Sequence, residues 1–340
     1  MYKASLLLNI KCISDAKISQ INALKHVSDF IQSASTEAAY GDSFSLFGHL
    51  NAAGKYLSRD FEQIDKNNTI LKSSDRRVVP FLRSQLFIAL IANLEDYFSQ
   101  IMKEILLSFP EKITTKTIEK NQIFDSNSKF QLIEKLAVKM IMDILYKSPS
   151  DYRKEFEKTI SAEGNLLEPF WESYVEMKAT RDTGMHGGWK VNRTYIEKAG
   201  KKARTTTEGA FLPITKKYFD EALKLGEQIV DSIYKHTSNK YKGCTYSFAF
   251  KEMWNKSSLS IVVPFDEAWN IESDYMTRPK KDFNWGWSHS EVMLYEFFES
   301  VYYGEEKMPP VTKLFERLKE NDVKIINSWL DSPFFFGNIF

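Results

Sequence analysis

The chain of 340 residues is longer than one average domain and suits two domains, or one core with an appended module. Hydrophobic residues make up 43% of it and charged residues 27%, an ordinary balance for a globular protein. The formal charge of +1 excludes a uniformly basic nucleic-acid-binding surface. A polyanionic partner would therefore have to be held by a local basic patch.

The chain has only two cysteines, Cys12 and Cys244, far apart in the sequence. This spacing argues against a zinc site, a disulfide framework or a thiol redox motif, and it suits a reducing cytoplasm. The apolar run in MYKASLLLNIKC is too short for a signal peptide and predicts a strand or short helix. No stretch approaches the roughly 20 apolar residues of a membrane span. We expect a soluble, cytoplasmic protein with no membrane partner.

Apolar residues spaced three and four apart predict a series of amphipathic helices over the first 240 residues. The predicted helices are 15–34, 82–109, 128–146, 150–160, 166–182 and 213–236, with the polar segment 35–79 as short helices joined by loops. The helix 82–109 is the most apolar, because Phe87, Ile91, Met102 and Leu106 widen its stripe. Such a broad face predicts the centre of a helical bundle, and Pro110 should stop the helix.

Beyond residue 240 the pattern changes. CTYSFAF (244–250) and LSIVVPF (259–265) are β-prone, and helices are predicted at 290–302 and 311–329. The tryptophans of this region either form a recognition surface or, as we favour, the core of a small domain. We predict a mainly α fold in which a helical bundle carries a smaller α+β C-terminal module. The predicted boundaries are 1–79 for an N-terminal helical segment packed on the core, 80–240 for the bundle and 241–340 for the module, with TSNKYKG (237–243) as the linker.

The stretch KATRDTGMHGGWK (178–190) brings Arg181 and His186 close together at a predicted helix end. Arginine offers a planar fork of donors that fits phosphate oxygens, and histidine transfers protons near neutral pH. Together they suit metal-free RNA cleavage, in which the ribose 2′-oxygen attacks the adjacent phosphorus. The plainer alternative is a surface arginine and histidine favoured by the helix dipole.

The spacing of Arg181 and His186 constrains how they could share a site. Five residues apart on an unbroken helix, their side chains diverge by about 140°. They can converge if the helix loosens at Gly184, or if each meets its copy across a two-fold axis. Gly187 and Gly188 are predicted to adopt left-handed conformations that end the helix. Because the reaction needs a general acid as well as a base, a motif with a single histidine favours a homodimer in which each chain supplies one.

The apolar helix FIALIANLEDYFSQIMKEIL, followed roughly seventy residues later by a helix that ends Arg-polar-x-x-x-His-Gly, resembles the HEPN superfamily. The resemblance covers about residues 80–237 and places Arg181, Asp182 and His186 on the family motif. It implies a small helical bundle and, in many members, a dimeric, metal-independent ribonuclease of toxin–antitoxin, abortive-infection and other anti-phage systems. Asp182 departs from the usual neutral or basic residue. Its carboxylate could orient Arg181, or could repel phosphate.

Further residues are candidates for supporting roles. Glu95 could pair with Arg181, or Glu95 and Asp96 could be a solvent-facing pair beside the core. The segment 190–204 is strongly basic and could hold an RNA backbone, with Trp189 and Tyr195 stacking on bases, or could be a solvated loop. Its predicted RNA-binding residues are Lys190, Arg193, Lys201, Lys202 and Arg204.

The sequence therefore predicts a metal-independent endoribonuclease of bacterial defence or growth arrest, with Arg181 and His186 as catalytic residues. No metal or cofactor is predicted. The predicted partners are RNA, a second copy of the chain, and an antitoxin or defence-complex protein. The alternative is a non-catalytic RNA- or nucleotide-binding module, or a scaffold or sensor subunit of a defence complex.

Overall fold

The computed structural model describes residues 2–40, 71–114, 129–162, 164–272, 275–277, 286–303 and 308–330 of the chain. Over these residues the fold is mainly α. The helices, in chain order, are α1 (Tyr2–Tyr40), α2 (Leu71–Ser108), α3 (Lys129–Leu145), α4 (Pro149–Thr159), α5 (Glu168–Gly187), α6 (Arg193–Ala199), α7 (Lys216–Lys240), α8 (Tyr246–Lys256), α9 (Leu259–Val262), α10 (Phe265–Ala268), α11 (His289–Tyr303), α12 (Val311–Arg317) and α13 (Glu320–Leu330). Short 3-10 turns occupy Pro110–Lys112 and Gly200–Lys202.

The chain divides into two compact units. The unit that contains the Arg181 motif, here the motif unit, comprises Cys12–Met102 and Ile141–His236. The other, here the terminal unit, comprises Met1–Lys11, Lys103–Met140 and Thr237–Phe340.

The core of the motif unit is built around α2. The predicted widening of its apolar face is confirmed, because Phe87 and Ile91 are fully buried together with Leu90 and Phe98. The helix ends at Ser108, with Pro110 opening a 3-10 turn, as predicted. It begins at Leu71, well before the predicted start, so 71–79 is part of this helix and not a loop region.

Helices α1 and α7 pack against α2 through a few polar contacts within an apolar interface. The Tyr97 hydroxyl lies 3.0 Å from the Ser14 hydroxyl and 3.3 Å from the Val230 carbonyl oxygen. Lys17, which is buried, forms an ion pair with Asp96 on α2. Asp96 is 51% exposed, as the solvent-facing alternative expected, and its carboxylate also joins α2 to Lys17 of α1.

In the terminal unit the predicted strands at 244–250 and 259–265 are wrong, because residues 246–250 belong to α8 and residues 259–262 form the short helix α9. Thr245 caps α8 by accepting from the Phe248 N–H, at 3.2 Å. Phe250 and Trp254, one helical turn apart, are fully buried, whereas Phe248 is 49% exposed. Burial thus repeats every four residues, as on a helix face, and this packing overrides the β propensity of the aromatic run.

The α+β description of the C-terminal module is corrected in the same way. Among its described residues, strand structure is limited to one antiparallel pair of three residues each, β1 (Asn270–Glu272) and β2 (Tyr275–Thr277). The module is otherwise helical. Its core is aromatic, with Trp254 and Trp269 at 0% and 1% exposure, which confirms the core interpretation for these two tryptophans.

One predicted helix near the C-terminus is divided in two. Leu318 adopts an extended backbone between α12 and α13. The Asp322 carboxylate, fully buried in α13, accepts hydrogen bonds from the Ser258 N–H at 2.8 Å and the Ser258 hydroxyl at 2.7 Å. This contact fixes the direction of α13. Across the described ranges, no helix has the length and apolar content needed to cross a membrane.

Candidate functional site

The motif lies on α5 and continues past its C-terminal end. The helix is uninterrupted from Glu168 to Gly187, and Gly188 ends it in the left-handed conformation with φ of +57°. Trp189 follows, also left-handed, with φ of +62°. The prediction of left-handed glycines is thus confirmed for Gly188 and wrong for Gly187, which is still helical.

Gly184 does not loosen the helix, and loosening at this residue was the predicted route to a site within one chain. The Trp189 indole folds back onto α5 at this position. A Cβ added to Gly184 would lie 2.6 Å from carbon atoms of the indole ring, closer than any real contact. The absence of a side chain at residue 184 therefore allows the indole to pack against an intact helix.

Arg181 is anchored to the central helix by Glu95. Its Nη2 atom donates to both carboxylate oxygens of Glu95, at 2.7 Å each. Of the two alternatives for Glu95, the structure shows the pairing with Arg181. The Arg181 side chain is only 18% exposed, and its Nη1 atom lies 3.9 Å from the Met185 sulfur. Arg181 is therefore held in one direction, with its Nη2 donors already engaged.

Two lysines flank this ion pair. Lys178 Nζ lies 2.8 Å from Glu95 Oε1, one of the two carboxylate oxygens that Arg181 contacts. On the other side, Asp182 lies 3.4 Å from Arg181 Nε through one oxygen and 3.4 Å from Lys198 Nζ through the other. The Arg181 Nε atom is buried, and its contact with Asp182 is not aligned as a hydrogen bond. The five side chains form a row of alternating charge, with three cations and two anions, here called the charge row.

The Asp182 carboxylate lies between two cations. It links Arg181 on α5 to Lys198 on α6, so that its charge is shared between them. The charge row still has one positive charge in excess. A phosphate would meet a weakly positive surface here.

His186 is exposed near the end of α5 and makes no hydrogen bond or ion pair to any residue that the structure describes. Because α5 is continuous through residue 187, its side chain points about 140° away from that of Arg181 around the helix axis. The two groups do not converge within one chain. A shared site requires the other predicted route, a second copy of the chain.

The basic segment after the motif is ordered structure packed on α5. Asn192 caps α6 by accepting from the Tyr195 N–H at 2.8 Å. Val191, Tyr195 and Leu212 pack with Ala179 of α5 in a small apolar cluster. The predicted cations Lys190, Arg193, Lys201 and Lys202 are exposed, and the structure thus presents them on a fixed surface.

Arg204 is the exception among the predicted RNA-binding residues. Its Nε lies 3.3 Å from the buried Glu176 carboxylate, and its Nη1 donates to the Pro213 carbonyl at 2.7 Å. Its guanidinium also stacks on the Tyr218 ring, 3.9 Å from the ring centroid. We assign Arg204 a structural role, because these contacts occupy its donors and one face.

Glu176 is the centre of this buried network, which sequence reasoning missed. Its carboxylate accepts from the hydroxyls of Thr180 at 2.7 Å, Tyr218 at 2.7 Å and Tyr195 at 3.0 Å. Burial, followed by the adjacent Glu176 charge, raises the pKa of Tyr218 well above its usual value. Tyr195 is buried with 1% exposure, so its predicted stacking on RNA bases is wrong.

An aromatic cluster lies beneath the Glu95 end of the charge row. The Phe98 ring makes edge contacts with the rings of Tyr152, Trp171 and Tyr174. The Tyr152 and Tyr174 hydroxyls are buried and have no hydrogen-bond partner among the described residues. Burial, and then the nearby negative charge of Glu95, raises the pKa of Tyr152. The cluster is a rigid, uncharged support for the ion pair above it.

Lys178 is the functional candidate that the motif search passed over. A faint signal was present, since positions 171, 174, 178, 181 and 185 lie on one helix face. The partner that makes Lys178 relevant, Glu95, lies on another helix and is brought near only by folding.

Across the residues that the structure describes, no group of three or more His, Cys, Asp or Glu side chains is arranged to hold a metal ion. Neither a protein-family model, nor a curated protein, nor a solved structure matches this chain.

Proposed function

We propose that this chain is a HEPN-like protein that acts as a metal-independent endoribonuclease in bacterial anti-phage defence or toxin-type growth arrest, working as a homodimer. The observation that supports this most is the anchoring of Arg181 by Glu95 at the surface, near the exposed imidazole of His186. An arginine held in one direction is suited to stabilising charge on a phosphoryl group, because no reorganisation is needed during the reaction.

In the proposed dimer two imidazoles share the proton transfers. The His186 imidazole of one copy accepts the proton of a ribose 2′-hydroxyl, and that oxygen attacks the adjacent phosphorus. The bond from phosphorus to the 5′-oxygen breaks, and the protonated His186 of the other copy delivers a proton to that oxygen. The products are a 2′,3′-cyclic phosphate and a 5′-hydroxyl end. DNA lacks the nucleophile and should not be cut.

The exposed lysines next to the motif supply the RNA-binding surface in this proposal. Lys190, Lys201 and Lys202 have no ion-pair partner among the described residues, so their charges are available to phosphates. Arg193 pairs with Glu197 at 2.9 Å but is 84% exposed, and water screens such a pair strongly.

A second candidate is a non-catalytic RNA-binding module of the same fold. It is favoured by the divergence of Arg181 and His186 around the uninterrupted helix α5. In that case this chain would bind the RNA, and a partner protein of the defence complex would carry out the chemistry.

Overexpression separates the two candidates. A nuclease should arrest bacterial growth, and either Arg181→Ala or His186→Ala should relieve the arrest. Purified wild-type protein should cut RNA in the presence of EDTA and leave 2′,3′-cyclic phosphate ends. Full toxicity in both variants would refute the catalytic assignment. RNA binding without any cleaved product would favour the binding module.

A further inference from the structure

We infer that Lys178 binds the RNA phosphate next to the one held by Arg181, which makes it a second cation of the same site. This inference rests on the proposed function. Lys178 is one helical turn before Arg181 on the same face of α5, a rise of about 4.5 Å. The two cations therefore follow the helix axis in a row.

The contacts of Lys178 leave it able to bind an anion. Its side chain is 37% exposed, about twice the 18% of Arg181, and it therefore reaches solvent more readily. Its only ion-pair partner among the described residues is Glu95, whose carboxylate is also held by two hydrogen bonds from Arg181. An ammonium group has three donors, and this arrangement engages one of them.

Local charge favours a phosphate at this position. In the charge row, three cations are set against two carboxylates, Glu95 and Asp182. Lys216, in the same unit, shows the opposite balance, because it contacts both Asp29 and Asp220. The excess positive charge of the charge row attracts a polyanion.

The aromatic cluster gives Lys178 a fixed direction. Its Nζ atom lies 6.0 Å from the centroid of the Tyr152 ring, at the edge of the cation–π range. Tyr152 itself is buried. The Glu95 carboxylate and the buried Tyr152 ring thus limit the positions of the Lys178 ammonium, which lowers the entropy lost when a phosphate binds.

The test uses full-length protein carrying His186→Ala, so that a fluorescent single-stranded RNA is bound without being cut. Affinity is measured by anisotropy over a series of salt concentrations. Lys178→Gln keeps a donor for Glu95 but removes the charge. We expect it to weaken RNA binding about tenfold and to reduce the salt slope by about 0.7 for each lost phosphate contact. Lys178→Arg should restore both the affinity and the slope.

Lys235→Gln is the matched control, because Lys235 is also paired with a carboxylate, Asp231 at 2.7 Å, on an exposed helix face of the same unit. It should leave affinity and slope unchanged. Thermal melting should show Lys178→Gln to be as stable as its parent, since Arg181 still holds Glu95. If Lys178 had only a structural role, Lys178→Gln would lower the melting temperature and leave the salt slope of RNA binding unchanged. That result would overturn the inference.

The same experiment distinguishes failure of this inference from failure of the proposed function. If Arg181→Ala loses RNA affinity while Lys178→Gln binds like its parent, Lys178 makes no phosphate contact and the proposed function stands. If the parent protein binds no RNA, the proposed function is refuted, and this inference with it.

Discussion

At the scale of single residues, two of the three glycines in the motif, Gly184 and Gly187, have different physical tasks. Gly184 lies under the Trp189 ring, where an added Cβ would be 2.6 Å from the indole. Gly187, in the same helix, would place a Cβ no closer than 3.8 Å to its nearest neighbour, an ordinary contact. The sequence does not distinguish the two glycines. They differ because the Trp189 ring folds back onto Gly184 and not onto Gly187.

Gly184→Ala should therefore destabilise the protein even though alanine favours helices. The displaced indole should cost about 1–3 kcal/mol, which outweighs a helix-propensity gain of about 1 kcal/mol. Gly187→Ala is the control and should be neutral or slightly stabilising. Thermal unfolding and tryptophan fluorescence would measure both effects. Equal stability of the two variants would show that the indole does not pack on Gly184.

At the scale of elements, α6 and the segment after it are attached to α5 by buried polar contacts. The Glu176 carboxylate is 6% exposed and is surrounded by three hydroxyl donors and the Arg204 guanidinium. Breaking a buried ion pair leaves an uncompensated charge, which costs far more than losing a surface pair.

Arg204→Ala should lower the free energy of unfolding by about 3–5 kcal/mol, and it should expose the basic segment to trypsin. Arg193→Ala, which removes an exposed cation of the same segment, should change it by less than about 1 kcal/mol. Urea unfolding and timed proteolysis would compare the two. If Arg204→Ala were stable and only weakened RNA binding, Arg204 would be an RNA ligand after all.

A second element with a testable cap is α11. The Ser288 N–H donates to the Glu291 carboxylate at 2.6 Å, and the Glu291 N–H donates to the Ser288 hydroxyl at 3.3 Å, a reciprocal capping box. These contacts favour a structural role for Glu291 as part of the cap of α11. The hydrogen bond from the Ser288 backbone, followed by that from its side chain, lowers the pKa of Glu291 below its usual value of 4.5.

Because the folded state lowers this pKa, the carboxylate stabilises the fold above pH 4.5, and the contribution is lost as pH falls through the folded pKa. Glu291→Gln should therefore be less stable than wild type near pH 7, and the difference should shrink as pH falls below 4.5. Melting curves from pH 3 to pH 7, about the range of carboxylate titration, would measure it. A difference that is constant across this range would contradict the capping assignment.

At the scale of the whole molecule, the proposed chemistry needs two copies of the chain. Each chain has one His186, and its imidazole diverges from Arg181 on a continuous helix. If His186 imidazoles act as both the general acid and the general base, two chains must each contribute one.

Mixed dimers test this requirement. When wild-type chains and His186→Ala chains are combined in equal amounts and allowed to exchange, about a quarter of the dimers retain two imidazoles. Cleavage activity should therefore fall to about a quarter of that of the same total amount of wild-type protein. A fall to one half would show that each chain acts alone. Gel filtration of each sample would report the oligomeric state.

The spacing of apolar residues along the chain predicted most of the helices. Burial of one helix face imposes this repeat of three and four residues. The helix ends at Pro110 and Gly188 were also predicted, since proline and glycine act through the local backbone. Local patterns failed at 244–250, where aromatic residues favour strands in isolation but are packed as a helix around Phe250 and Trp254.

The sequence by itself determined the mainly helical fold, the central role of the apolar helix and the placement of Arg181 and His186 near a helix end. Only the tertiary structure decided that Glu95 and Lys178 meet at Arg181, that Arg204 is held by Glu176, and that α5 stays intact beneath Trp189. The reason is physical. Helix formation depends on neighbours within a few residues, whereas each of these contacts, the Trp189 ring excepted, joins side chains that lie far apart in the sequence and are brought together by packing of the core.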